Sequence, residues 1–108
     1  MTKKLHPSFK VWIEVNGKPV VGKGGAKILQ AIESEGSISK AAKKVGMSYR
    51  YIWGYLVKME QMVGEPVVQT KVGGSGGGGA KLTKMGKKLL KEYLKTEKIV
   101  EKALTKLG

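Results

Sequence analysis

Residues 37–64 read SISKAAKKVGMSYRYIWGYLVKMEQMVG, and this stretch decides the fold. Ser37 and Ser48 each stand before a run of apolar residues at helical spacing, and each run ends on a glycine. A serine oxygen there can accept from the free amides of a helix's first turn, and glycine accepts the left-handed backbone that ends one. Ala41, Ala42 and Val45 form the stripe of the first helix, with Lys40, Lys43 and Lys44 off it. Ile52, Trp53, Leu56, Met59 and Val63 form the stripe of the second, which Gly64 and Pro66 stop. Two short helices joined by a tight turn at Gly46 make a helix-turn-helix. The second helix, with Tyr49-Arg50-Tyr51 in its first turn, is the element a DNA major groove would admit.

Upstream, Ile28, Leu29 and Ile32 recur at helical spacing and predict a first helix over Gly25–Glu35, stopped by Gly36. Before it, Phe9, Val11, Ile13 and Val15 alternate with Lys10, Trp12 and Glu14, which predicts a half-buried strand over Phe9–Val15. Asn16-Gly17 is a hairpin turn signal, and Pro19-Val20-Val21 reads as the returning strand, held to an edge by Pro19. Trp12, on the polar face, is expected to pack against a neighbouring element.

Downstream, Val67–Thr70 and Ala80–Leu82 read as paired strands around Gly73–Gly79, where six glycines surround Ser75. Such a run has no packing capacity and suits a flexible loop tip. This hairpin makes the helix-turn-helix a winged one. Thr83 caps a final helix to Leu107, about 24 residues and so near 36 Å long at 1.5 Å per residue. Its stripe begins at Met85 and Leu89 and exceeds what one small domain can cover. Leu90, Tyr93, Leu94, Val100, Leu104 and Leu107 are therefore expected to face a second copy of the chain. The expected class is α+β, a single winged helix-turn-helix domain over 1–108. It comprises an N-terminal β-hairpin (1–22), a helix-turn-helix with wing (23–84) and a long dimerising C-terminal helix (83–108).

Composition points to a polyanionic partner. The 108 residues carry a formal net charge of +13, and duplex DNA is the polyanion that fits a helix-turn-helix. Arg50 is the one arginine among 21 basic residues, and all eight acids are glutamates. Lysine supplies sequence-blind phosphate attraction, whereas the arginine fork reads planar acceptor pairs. Lys/Glu enrichment is common in thermophile proteins, and an AT-rich genome would produce the same surplus. No apolar run is long enough to span a bilayer, the N-terminus is too polar for a signal peptide, and a cytoplasmic, nucleoid-associated location is expected. With one histidine, no cysteine, no aspartate and no acidic pair beside a base, neither catalysis nor a bound metal or cofactor is expected.

The pieces GSIS, AA, GMSYR and W through the second helix, EPVVQT for the first wing strand, GG and GGGGA for the wing, and LTKMGKKLL for the closing helix run in order from Gly36 to Leu90. In this they resemble the DNA-binding domain of molybdate-responsive transcriptional regulators and, more loosely, LysR-type regulators. Residues Gly22 to Ser34 also fit that family's first helix. The resemblance implies a winged helix, usually a dimer on operator DNA. Full-length members carry C-terminal molybdate-binding domains. This sequence ends after the long helix, so no small-molecule effector is evident and molybdate sensing is not expected.

The expected DNA-binding residues follow from both readings. Arg50 is assigned a bidentate guanine contact or a phosphate clamp. Tyr49, Tyr51, Tyr55 and Lys58 offer hydroxyls, rings and charge. Gly54 allows either close approach of DNA or tight packing against a neighbouring helix. Ser37, Ser39 and Ser48 stand at helix N-termini, Lys40 meets phosphate, and Lys71, Gly74, Ser75, Gly76, Lys81 and Lys84 belong to the wing. The expected role is a sequence-preferring regulator with helix 48–64 in the major groove and wing 67–82 on the backbone. The alternatives are an architectural DNA-binding protein of low sequence preference and a protein-interaction module on the same fold.

Overall fold

Serine caps and glycine stops set the helix bounds in the computed structural model, which describes residues 3–74 and 77–107. The order is β1 (Ile13–Val15), β2 (Lys18–Val21), α1 (Lys23–Glu35), α2 (Ile38–Val45), α3 (Tyr49–Val63), β3 (Val68–Gly74), β4 (Gly77–Leu82) and α4 (Lys84–Leu107). The Lys40 amide donates to Ser37 Oγ and the Tyr51 amide to Ser48 Oγ, each at 3.0 Å. Caps of this kind are worth about 1 kcal/mol each. α1, α2 and α3 end at Gly36, Gly46 and Gly64 in the left-handed region, as the sequence predicts.

α1 begins two residues earlier than expected, at Lys23. Gly22 offers no side-chain cap, and Gly25 and Ala26 in the first turn are buried. A Cβ on Gly25 would lie 2.9 Å from Tyr55 Cε1, so the bare backbone of α1 sits directly under the Tyr55 ring.

β1 and β2 form one antiparallel pair, and β3 and β4 another. The predicted strand over Phe9–Val15 is laddered only at Ile13–Val15. The reason is the length of its partner: β2 has four residues before α1 begins, and the register shifts between Ile13 and Glu14. The alternation nevertheless persists, with Phe9, Val11, Ile13 and Val15 half-buried and Lys10, Trp12 and Glu14 exposed. Trp12 corrects another expectation. It is 51% exposed, and its indole N–H donates to Glu14 Oε2 at 2.7 Å on its own strand. The wing strands are longer than predicted, because glycine backbone still pairs: Gly79 lies opposite Lys71 and Gly77 opposite Gly74. Ser75 and Gly76 lie outside the described residues.

The core joins β2, the first three helices, the wing base and the start of α4. Ile28, Leu29, Ile32, Ile52, Leu56, Met59, Val21 and Val67 are fully buried within it. Burying a side chain of this size stabilises the fold by roughly 1.5–3 kcal/mol. α4 adds Leu89, Leu90 and Tyr93. Leu90 and Tyr93 thus correct the expected partner-facing set, since they are 5% and 3% exposed inside their own protomer. Burial pushes the Tyr93 hydroxyl up from its ordinary pKa, and the Glu97 carboxylate accepting its proton at 2.9 Å adds to that. Among described side chains, none of α4 beyond Tyr93 is buried. The helix overhangs, and the molecule measures 57 × 37 × 20 Å.

Candidate nucleic-acid interface

The helical period sorts α3 into a buried side, two flanks and a crest. Ile52, Leu56 and Met59 face the core. Opposite them stand Arg50, Gly54, Val57, Lys58 and Gln61, all exposed. Val57 and Gln61 were not singled out from the sequence. Their signal is positional: they follow Arg50 by seven and eleven residues, on the same helical face. Gly54 packs against nothing, since a Cβ there would meet no atom within 4 Å. That removes the packing explanation for a mid-helix glycine, which costs roughly 1 kcal/mol relative to alanine.

On one flank, Tyr49 meets Trp53 edge to face, with ring centroids 6.2 Å apart. These two rings wall a cleft shared with α2 and the wing. Ser37, Ser39, Lys40, Tyr49 and Lys71 from the expected set line it together. Lys43 and Thr70 line it too and were not expected there. Lys43 is legible in hindsight, three residues from Lys40 on the same face of α2. The wing is fixed to the first interhelical turn by the Ala80 amide, which donates to the Gly36 carbonyl at 2.8 Å. A Cβ on Gly79 would lie 3.6 Å from that same oxygen. Lys81 and Lys84 are exposed but do not line the cleft.

On the other flank, Tyr51 and Tyr55 are neighbours, with centroids 6.3 Å apart. Tyr51 is 56% exposed, whereas Tyr55 is half-buried against Gly25. Ser48 is exposed, with its oxygen used as a cap. Gly74 pairs with Gly77 at the described end of the wing.

The electrostatics are one-sided. Among the described residues the only ion pair joins Lys44 to Glu35 at 3.3 Å. Glu35 is the single acid in the cleft wall, and that pairing offsets its charge. Lys40, Lys43 and Lys71 have no carboxylate partner among the described residues. Their charge is available to an external anion with little desolvation to reverse.

Of the α4 residues expected to face a second copy, Leu94 is 36% exposed, and Val100 and Leu104 are half-buried. The side chain of Leu107 lies outside the described residues. Among the described residues, no helix is long and apolar enough to cross a membrane.

Comparison with known proteins gives a consistent picture. The profile of the family described as bacterial regulatory helix-turn-helix protein, lysR family, matches residues 25–87. The Molybdenum transport protein ModE of Azotobacter vinelandii is 40% identical over 82 residues, covering 76% of this chain and 30% of that one. The DNA-binding transcriptional dual regulator ModE of Escherichia coli K12 is 39% identical over 81 residues, 75% of this chain and 31% of its own length. The chain thus spans about 30% of the length of the curated relatives it matches. Among solved structures, ArgP from Mycobacterium tuberculosis superposes with a TM-score of 0.58 at 22% identity, over 76% of this chain and 29% of that one. The DNA-binding domain of CbnR, solved in complex with DNA, gives 0.56 at 19% identity, over 72% of this chain and 84% of that one. At those identities the structural likeness speaks for the winged-helix fold alone.

Proposed function

Since the chain belongs to the lysR family of bacterial regulatory helix-turn-helix proteins, we propose that it is a transcriptional regulator that binds duplex DNA. α3 enters the major groove and the β3–β4 wing follows the backbone. The observation that carries this reading is the cleft beside α3, where Lys40 and Lys43 of α2 meet Lys71 of the wing. The crest of α3 next to it bears the single arginine. Phosphate contacts fix register and the crest reads base edges, which is the division of labour that DNA readers use. The described role of the Escherichia coli relative supports the same reading. The protein is not an enzyme, and it acts on DNA in the cytoplasm.

Two copies pair through α4. Leu94, Val100 and Leu104 continue the apolar stripe beyond the protomer's own core and are covered by the partner's helix. A two-fold dimer places its α3 helices on half-sites about 34 Å apart or a multiple of that. The lysine-rich surface favours a second reading, an architectural protein of low sequence preference.

Selection from a pool of random duplexes, with sedimentation of the bound species, tests the proposal. The expected result is an enriched motif with two-fold symmetry, bound by two chains. Tight binding with no enrichment would replace the regulator by the architectural reading. A single chain on a single half-site would remove the dimer.

A further inference from the structure

The flank of α3 turned away from the wing is not empty. Pro19 and Val20 of β2 stand across a groove from Tyr51, Gly54, Lys58 and Met62 of α3. This groove lies on the opposite side of α3 from the cleft that Tyr49 and Trp53 share with the wing. The recognition helix is therefore bracketed by two antiparallel hairpins. The β1–β2 hairpin precedes the stretch that matches the family profile, which begins at residue 25.

Three observations say what the groove takes. Its edge on α3 is bare at Gly54, where no side chain or neighbouring element lies within 4 Å of a would-be Cβ. The glycine thus leaves open space toward the outside and answers no packing need within the fold. The groove has cations at hand. Lys58 lines it, and Lys18 stands at the exposed end of β2, next in sequence to Pro19, which lines it. The whole segment 3–22 carries four lysines against the single glutamate Glu14. Finally, the turn beside Lys18 is tight: Asn16 and Gly17 take φ of 52° and 77°. That holds Lys18 on a short, stiff support.

We propose that the β1–β2 hairpin is a second wing. When α3 lies in the major groove, the sugar-phosphate strand on the side away from the β3–β4 wing runs along this groove. Lys18 and Lys58 pair with its phosphates, and the Tyr51 hydroxyl donates to one. The strand passes close to the α3 backbone at Gly54. The proposal rests on the DNA-binding reading above and adds to it a contact surface from outside the helix-turn-helix.

The test uses the full chain and a duplex of fixed sequence, with affinity measured across a salt series for the unaltered protein, Lys18→Glu and Lys27→Glu. Lys27 is exposed on α1 and faces the groove toward α4, away from both flanks of α3. Both substitutions change net charge equally, and both are at exposed positions that leave the core intact. The Lys18→Glu protein is expected to lose roughly tenfold in affinity, and its log–log salt slope should shrink by about one for each phosphate it no longer neutralises. Lys27→Glu should keep the slope of the unaltered protein. Equal behaviour of the two variants would overturn the second wing while leaving DNA binding in place. Absence of binding by the unaltered protein would overturn both.

Discussion

Gly86→Ala is expected to destabilise the protein by about 2–4 kcal/mol, although alanine is the better helix former by about 1 kcal/mol. The reason is local. A Cβ on Gly86 would collide with the Val67 carbonyl oxygen and come within 3.3 Å of Leu82 Cβ. That oxygen already accepts the Thr83 amide at 3.0 Å, and Thr83 Oγ1 donates to the Pro66 carbonyl at 2.7 Å while capping the Gly86 amide. Both sides of the contact are backbone, so no rotamer change relieves it. Either α4 lifts away and uncovers Leu89, Leu90 and Tyr93, or the base of the wing shifts. Gly54→Ala is the matched comparison, with the same substitution in mid-helix but open space around it. It should raise stability by about 0.5–1 kcal/mol. Denaturant unfolding of the two variants checks the pair. A Gly86→Ala protein as stable as Gly54→Ala would mean that α4 does not dock at Val67 as described.

Arg50→Ala is expected to weaken binding to the preferred duplex by about 1–3 kcal/mol, roughly five- to 150-fold, with stability unchanged. Arg50 is exposed at the crest of α3 and lies outside both flanking grooves, so its removal disturbs no packing. Arg50→Lys separates its two candidate roles. Lysine keeps the charge but lacks the planar two-donor fork that matches guanine O6 and N7. If Arg50 reads a base, Arg50→Lys restores affinity for arbitrary DNA but not the preference for the selected site. If Arg50 clamps a phosphate, lysine restores both. The crest position favours the base contact, because the flank cations already lie toward the phosphates. Competition between selected and arbitrary duplexes at one salt concentration measures the preference directly.

The sequence makes the helix-turn-helix legible because its signals are local. Ser37, Ser48, Gly36, Gly46 and Gly64 place helix ends by hydrogen-bonding and backbone geometry that need no tertiary partner. Signals that depend on a partner are less readable. Phe9–Lys10 carry a strand pattern but have no strand beside them, because α1 begins at Lys23. The stripe of α4 is continuous in sequence, yet only the structure shows that Leu90 and Tyr93 belong to the protomer's core while Leu94 is left outside. Within the candidate site, Lys40, Tyr49 and Lys71 are predicted and do share a cleft, whereas Lys43 and Thr70 join it through the docking of the wing on Gly36. The groove between Pro19 and Gly54 could not be read in advance, since it arises from where β2 lands on α3.

The central claim is that this surface binds duplex DNA through phosphate contacts. Fluorescence anisotropy of the unaltered protein with a labelled duplex of ~30 base pairs, repeated across a salt series, tests it most directly. Tight binding at low salt and a steep, linear fall of log affinity with log salt are expected. No binding at low salt, or an affinity that salt leaves unchanged, would contradict it.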